Sequence, residues 1–184
     1  AEDGAIYASH AYLPQVLAGY ATVAYELYQQ LGGSPGTVVV PAGQGNLLLA
    51  IGRGFQILLN QGLIAELPRL VGVQARACAP LWAVYHYGIA GYGWMTEGET
   101  LAEGVRVSTP LRGDAVLRIV EESQGTFLAV DEEHSIPGRD QLAQRGLCGS
   151  RRAPPGGPGK ARHQGHVRQV REVQPETARG ARVG

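Results

Sequence analysis

One stretch, residues 37–59 (TVVVPAGQGNLLLAIGRGFQILL), most narrowly limits the folds open to this chain. A β-branched apolar run leads through Pro41 and a Gly-x-Gly turn into a long apolar segment with helical spacing. Gly43 and Gly45 can adopt conformations that other residues avoid, and they place no Cβ in the turn. A strand that enters a helix this way leaves unpaired N–H groups at the positive end of the helix dipole. The stretch therefore predicts a βα unit with an anion-binding turn, and an ordinary strand-to-helix turn is the alternative.

Strands and helices are predicted to alternate along residues 13–147. Apolar spacing predicts helices over residues 13–31, 46–60, 80–87 and 113–123, with strands over 38–40, 68–75 and 126–131. Asn46 and Asp131 are expected to cap helices, and Pro137 is expected to bend or restart the last one. Residues 88–99 are rich in glycine and predict a loop. This alternation predicts an α/β fold, a three-layer αβα arrangement with a mostly parallel sheet covered on both faces.

Composition changes sharply near residue 148. Residues 1–147 carry eight basic and fourteen acidic side chains, whereas residues 148–184 carry eight basic and two acidic ones. The second segment contains no Leu, Ile, Phe, Tyr, Trp or Met. It cannot bury enough apolar surface to offset its chain entropy. We therefore predict one acidic folded domain over residues 1–147 and a basic Pro/Gly/Arg-rich tail, disordered or frameshifted, over residues 148–184.

Several classes of protein and site are not expected. Cys78 reads as a small buried apolar residue, and the two cysteines suit neither a disulfide framework nor a zinc site. His163 and His166 have no partner ligand nearby, so no metal site is predicted. No signal peptide or membrane span is recognisable, which favours a soluble protein in a reducing cytoplasm. The tail's arginines lack aromatic neighbours and suggest only weak, nonspecific nucleic-acid binding.

Standard phosphate-binding and nucleophile motifs do not fit. A dinucleotide fingerprint needs a small residue where Leu48 stands and an acidic residue at the end of the next strand. The Gly-Lys-Ser/Thr triplet of a Walker loop does not occur in the sequence. GGSPG at residues 32–36 matches Gly-x-Ser-x-Gly but leads from a helix into a strand, the reverse of a nucleophile elbow. Spacing alone therefore does not identify the anion.

Five segments are familiar in their order and spacing. They are ASHAYLPQVLAGYATVAYELYQQLG, VVVPAGQGNLLLAIGRGFQILLNQGLI, PRLVGVQARACAPL, ETLAEGVRV and GTFLAVDEE. Together they resemble the second half of pyridoxal-phosphate enzymes of fold type II. Within that superfamily, Pro-Val-Gly-x-Gly-x-Leu and Thr-x-Ala-Glu/Asp-Gly are typical of the threonine synthase and threonine dehydratase branch. The resemblance covers residues 5–147 and implies the large-domain part of that fold.

The resemblance also implies which residues contact the cofactor. The 5′-phosphate of pyridoxal phosphate would be held by the turn residues Gly43, Gln44, Gly45 and Asn46. Glu103 and Gly104 match a segment that lies beside the cofactor ring in the family, and a solvated turn is their alternative. The complete enzyme would be a homodimeric lyase of amino-acid metabolism that acts on a small amino acid by β- or γ-elimination or replacement.

Two departures from the family matter for activity. The family's Schiff-base lysine lies in the first half of the complete chain, whereas the only lysine here is Lys160 in PPGGPGKARH. Such a lysine must be buried against the ring, so we expect no catalytic residue in this chain. After Leu147 the usual continuation Glu-Pro-Thr-Ser-Ala is replaced by CGSRRAPPGGPG. This change is typical of an out-of-frame reading of GC-rich DNA or a degraded gene, and an evolved tail is the alternative.

The sequence thus predicts a fragment of a pyridoxal-phosphate enzyme that is inactive by itself. The start at Ala1 without methionine agrees with the cutting of a longer chain. The alternative is a non-catalytic remnant that binds a phosphate-bearing ligand or a partner chain. The substrate is not predicted, because the residues that bind it in the family lie mostly upstream.

Overall fold

The computed structural model describes residues 9–95 and 97–144. Helices and strands alternate along them, in the order α1 Gln15–Leu31, β1 Thr37–Pro41, α2 Asn46–Asn60, β2 Arg69–Ala75, α3 Pro80–Tyr87, α4 Gly113–Glu122, β3 Thr126–Val130 and α5 Glu132–Gln144. Three short 3₁₀ segments, Arg76–Cys78, Gly88–Trp94 and Glu103–Val105, connect them. The tail predicted from residue 148, with Lys160 and both tail histidines, lies outside the described residues.

The three strands form a parallel sheet in the order β1-β2-β3. Val40 of β1 pairs in register with Gly72 of β2, and Gly72 pairs in register with Phe127 of β3. A Cβ on Gly72 would lie 2.4 Å from the Phe127 ring, so the ring occupies space that only glycine leaves open. Leu48 of α2 and Val120 of α4 are buried in the same core. The predicted α/β class with a parallel sheet is confirmed.

Small residues bring α1 and α2 together. A Cβ on Gly54 of α2 would lie 2.6 Å from the Ala24 side chain and 2.7 Å from the Ala21 carbonyl oxygen. Because this glycine has no side chain, the two helices can approach closely. Ser9 accepts backbone hydrogen bonds from Tyr12 and Leu13 just before α1. These contacts give residues 9–13 a turn conformation just before α1.

Four local predictions need correction. Asn46 does not cap α2, because Gly45, with φ 75°, precedes the helix and Asn46 is its first residue. The strand predicted as buried over residues 38–40 is buried at Val40 (3% exposed), whereas Val39 is 62% exposed because alternate side chains face opposite sides of the sheet. The predicted loop from residue 88 begins with the 3₁₀ segment Gly88–Trp94. Helix α5 runs through Pro137 without interruption.

Candidate phosphate site

The turn between β1 and α2 is closely packed at both of its glycines. Gly45 has φ 75° and a Cβ there would lie 2.8 Å from both methyl groups of Val116 on α4. Gly43 faces a different neighbour, since its Cβ would lie 3.0 Å from the Val105 Cα and 3.3 Å from the Gly104 carbonyl oxygen. Packing therefore favours glycine at both positions, and at Gly45 the left-handed backbone conformation favours it as well.

Several consecutive backbone N–H groups at the start of α2 have no acceptor within the described residues. The Ala42 N–H donates to the Val73 carbonyl at 2.8 Å, and the Leu49 N–H donates to the Gly45 carbonyl at 2.9 Å. Between them, the N–H groups of residues 43–48 donate to no oxygen within the described part of the chain. The first turn of a helix lacks internal acceptors for its N–H groups, and its dipole places partial positive charge there. This turn is therefore suited to hold an anion.

The two polar side chains of the turn use their oxygens to bind the chain just before α4. The Leu111 N–H donates to Gln44 Oε1 at 3.0 Å. The Arg112 guanidinium donates to Asn46 Oδ1 at 3.2 Å, and Asn46 Nδ2 donates to the His10 carbonyl at 3.3 Å. Asn46 is only 5% exposed, so its amide orientation is set by these two contacts.

The second predicted site segment lies against the turn. Gly104 and Val105 contact Gly43, so the structure brings together the two parts that the sequence placed in one site. Glu103 and Gly104 are exposed, and a Cβ on Gly104 would meet no atom within 4 Å. The predicted residues at the turn are thus half-buried or buried, whereas those on the second segment face outwards.

Two residues that hold the site were missed by the sequence reasoning. Arg112 bridges Asn46 to the carbonyls of Ala11 and Tyr12. Glu132, the first residue of α5, accepts hydrogen bonds from the Thr100 hydroxyl and, at 3.2 Å, from the Leu101 N–H. No local pattern identifies either residue, because the Arg112 and Glu132 contacts join parts of the chain 66 and about 32 residues apart.

Cys78 provides no nucleophile near this site. It is 1% exposed, which confirms the prediction that it is a small buried apolar residue. Burial, and secondarily the Glu97 carboxylate, raise the pKa of its thiol. A thiol with a raised pKa is mostly protonated at neutral pH and is a poor nucleophile.

Neither a metal cluster nor a membrane-spanning helix occurs within residues 9–95 and 97–144. No three His, Cys, Asp or Glu side chains lie together there in a way that suits a metal ion. In the same part of the chain, no helix has the length and apolar character needed to cross a membrane.

Comparison with known proteins decides the family. The profile described as pyridoxal-phosphate dependent enzyme matches residues 1–148. The chain belongs to this family. The predicted cofactor, pyridoxal phosphate, is thereby confirmed for the family, as is the resemblance to fold type II enzymes.

Two curated relatives to which this chain is similar are threonine synthases. Threonine synthase of Methanocaldococcus jannaschii is 29% identical over 146 residues, which are 79% of this chain and 36% of that protein. Threonine synthase of Mycobacterium bovis is 30% identical over 123 residues, which are 67% of this chain and 32% of that protein. The chain thus spans about a third of the length of these curated relatives.

A solved structure supports the fold. The crystal structure of a T.th. threonine deaminase superposes with a TM-score of 0.55 and 25% identity, over 73% of this chain and 46% of that chain. The predicted threonine synthase and threonine dehydratase branch agrees with these neighbours. The turn and the Gly104 segment both lie within the residues that the family profile matches.

Proposed function

We propose that the N–H groups of residues 43–48 bind the 5′-phosphate of pyridoxal phosphate, in an enzyme that acts on a small amino acid. The observation that carries this proposal is the run of unpaired donors at the start of α2 within the described residues. Family membership supplies the phosphate-bearing ligand. The similarity to threonine synthases and a threonine deaminase supports β- or γ-elimination or replacement as the reaction.

The residues present fit a phosphate group. Gly43 and Gly45 add no side chain to the turn, and Val105 and Val116 pack where their Cβ atoms would lie, which fixes the loop conformation. A phosphate monoester carries between one and two negative charges at neutral pH and accepts several hydrogen bonds. The expected N···O distances are about 2.7–3.2 Å. Bound in this way, pyridoxal phosphate supplies an electron sink for reactions at the α-carbon of an amino acid.

The other parts of the predicted site have supporting roles in this proposal. Gln44 and Asn46 fix the shape of the turn, and Glu103 and Gly104 would line the cofactor at its ring. Gly104 and Val105 lie directly against Gly43, which supports a site shared by the two segments. The homodimer and the cytoplasmic location stay predictions.

Removing one amide donor tests the phosphate site. Leu47 is the second residue of α2, and its N–H lacks an acceptor within the helix, so proline there removes a donor without breaking a helical hydrogen bond. We expect Leu47→Pro to weaken binding of pyridoxamine 5′-phosphate about fivefold or more, as measured by calorimetry, because a hydrogen bond to a charged group is lost. Leu47→Ala is the matched control, since it removes the same side chain and keeps the N–H.

Pyridoxamine without the phosphate separates this site from binding elsewhere. Its affinity should be low and the same in the parent chain and both variants. Equal affinity of the parent chain for the two compounds would overturn the phosphate assignment. Equal loss of pyridoxamine 5′-phosphate binding in Leu47→Pro and Leu47→Ala would also overturn it, because the side chain and not the amide would then be responsible.

The 184-residue chain by itself is expected not to catalyse the reaction. Its only lysine is Lys160, in a Pro/Gly-rich stretch, whereas a Schiff-base lysine must be held against the cofactor ring. Mixed with pyridoxal phosphate, the chain should show no visible absorbance of a buried covalent adduct and should not turn over serine or threonine. Keto-acid release that disappears in Gly45→Val would contradict this and would require a different catalytic group. Phosphate binding without turnover would agree with the alternative of a non-catalytic binding module.

A further inference from the structure

We propose that Arg112 is a positioning residue of the phosphate site, which holds Asn46, the first residue of α2, in one orientation beside the N–H groups that bind the anion. This inference rests on the proposed function and adds a residue that lies outside the Gly-rich turn. Arg112 stands immediately before α4. Its guanidinium reaches Asn46, the first residue of α2, and two backbone carbonyls before α1.

The chemistry of the contacts fixes the orientation of the Asn46 amide. A guanidinium can only donate hydrogen bonds, and a backbone carbonyl can only accept them. The oxygen of Asn46 faces Arg112 and its NH₂ group faces the His10 carbonyl. Reversing the amide would place donor against donor and acceptor against acceptor, at a residue that is 5% exposed. Arg112 therefore selects one of the two orientations.

The same arrangement is repeated at Gln44. Its oxygen accepts from the backbone N–H of Leu111, which also can only donate. Residues 111 and 112 thus engage the side-chain oxygens of both polar residues in the turn. An anion that approaches the turn then meets N–H groups, because the acceptors that would repel it are already bonded.

Arg112 also links the turn to the segment before α1. Its Nη1 lies 2.6 Å from the Ala11 carbonyl oxygen, and its Nη2 lies 3.0 Å from the Tyr12 carbonyl oxygen. The planar guanidinium can contact these acceptors and Asn46 together, which the single ammonium of lysine cannot do in the same geometry. The His10 carbonyl that holds the other end of the Asn46 amide belongs to this segment as well. Arg112 is therefore one hydrogen-bond partner of Asn46, and it also holds the segment that carries the other partner, the His10 carbonyl.

A double-mutant cycle between Arg112 and Asn46 tests the proposal. Binding of pyridoxamine 5′-phosphate is measured by calorimetry for the parent chain, Arg112→Gln, Asn46→Ala and the double variant. We expect Arg112→Gln to weaken binding about tenfold in the parent, the equivalent of one hydrogen bond to a charged group. In the Asn46→Ala background the same change should weaken binding less than twofold, because Arg112 acts through Asn46.

Two further variants separate positioning from charge and from stability. Arg112→Lys keeps the charge but loses the fork, so it should weaken binding nearly as much as Arg112→Gln. Arg118→Gln removes an equal charge from the exposed side of α4 and should leave binding unchanged. Thermal unfolding of each variant shows whether it folds. If Arg112→Gln does not fold, Arg112→Lys takes its place in the cycle.

The outcomes distinguish this inference from the proposed function. If the parent chain does not prefer pyridoxamine 5′-phosphate to pyridoxamine, the proposed function itself fails. If the parent prefers it and Arg112→Lys binds as the parent does, Arg112 acts through its charge and the positioning role is wrong. Equal losses from Arg112→Gln with and without Asn46 would also overturn the inference.

Discussion

Two segments border the candidate site, and they are held in place by different forces. The turn at residues 43–46 is fixed by close steric fit in addition to the hydrogen bonds of Gln44 and Asn46, since its two glycines lie tightly against Val116 and Val105. The segment at residues 100–105 is fixed by polar contacts, since Glu132 accepts hydrogen bonds from Thr100 and Leu101. A glycine occurs in both, yet only in the turn does the fold itself require it.

This contrast separates what the fold needs from what a ligand needs. A residue that packing requires stays necessary whether or not anything is bound. A residue that packing does not require, such as the exposed Gly104, is needed only if a bound ligand requires it. Substitutions in the two segments should therefore differ in how far they affect stability and how far they affect binding.

The largest effect is expected from Gly45→Val. The new side chain would meet Val116 at 2.8 Å and would force a β-branched residue into a left-handed conformation. Overpacking and the unfavourable φ together should lower the free energy of unfolding by about 4 kcal/mol, measured by urea denaturation. Gly32→Val is the matched control, because Gly32 has φ 71° and no atom near its Cβ position. If both variants lose the same stability, the contact with α4 does not constrain the turn.

A smaller loss is expected from Glu132→Ala. Thr100 is 8% exposed, and its hydroxyl would lose the carboxylate that accepts from it. Leaving a nearly buried polar group with a weaker partner should cost about 1–2 kcal/mol. Hydrogen exchange at residues 100–102 should also become faster. Glu133→Ala, in the same first turn of α5 and exposed, should change neither quantity, and a similar effect there would point to the helix dipole instead.

Gly43→Ala should lower the free energy of unfolding by about 1 kcal/mol. The added methyl would lie 3.0 Å from the Val105 Cα, so one of the two segments must move by a few tenths of an ångström. The exposed segment is expected to move, because it is held by fewer contacts than the turn. Faster hydrogen exchange at residues 103–106 than in the turn would show this. Gly33→Ala, at a position with open space around the Cβ, is the control.

The elements themselves were largely predictable because their apolar spacing is strong. Helices α1, α2 and α4 begin and end within two residues of the predicted bounds. Glycines with positive φ, Gly32 and Gly62, follow α1 and α2. The prediction that Asn46 caps α2 was wrong, and the sequence alone is ambiguous because both Asn and Gly are common at the N-cap position. The packing of Val116 behind Gly45 decides between them, and that contact is tertiary.

Other features depended on context that a local pattern does not contain. The loop predicted from residue 88 begins with a 3₁₀ segment, in which Gly91 lies so close to α3 that a Cβ there would clash with the Ala83 carbonyl oxygen. Pro137 was expected to bend or restart α5, and the helix does not restart there. The carbonyl that its ring displaces belongs to Glu133, which is exposed, so solvent can satisfy it. The meeting of Gly43 with Gly104 was implied by the family resemblance and not by spacing.

The smallest effect on stability is expected from Gly104→Ala, and this variant sharpens the contrast most. Its Cβ would meet no atom within 4 Å, and Gly104 is not among the glycines with positive φ. Alanine also restricts the unfolded chain, so stability should stay the same or rise by less than about 1 kcal/mol. Binding of pyridoxamine 5′-phosphate by the same variant is the deciding measurement. A loss of affinity without a loss of stability would mean that the ligand, and not the fold, needs glycine at this position. A stability loss as large as that of Gly43→Ala would show that the exposed segment is as tightly packed as the turn, and the distinction between the two segments would be wrong.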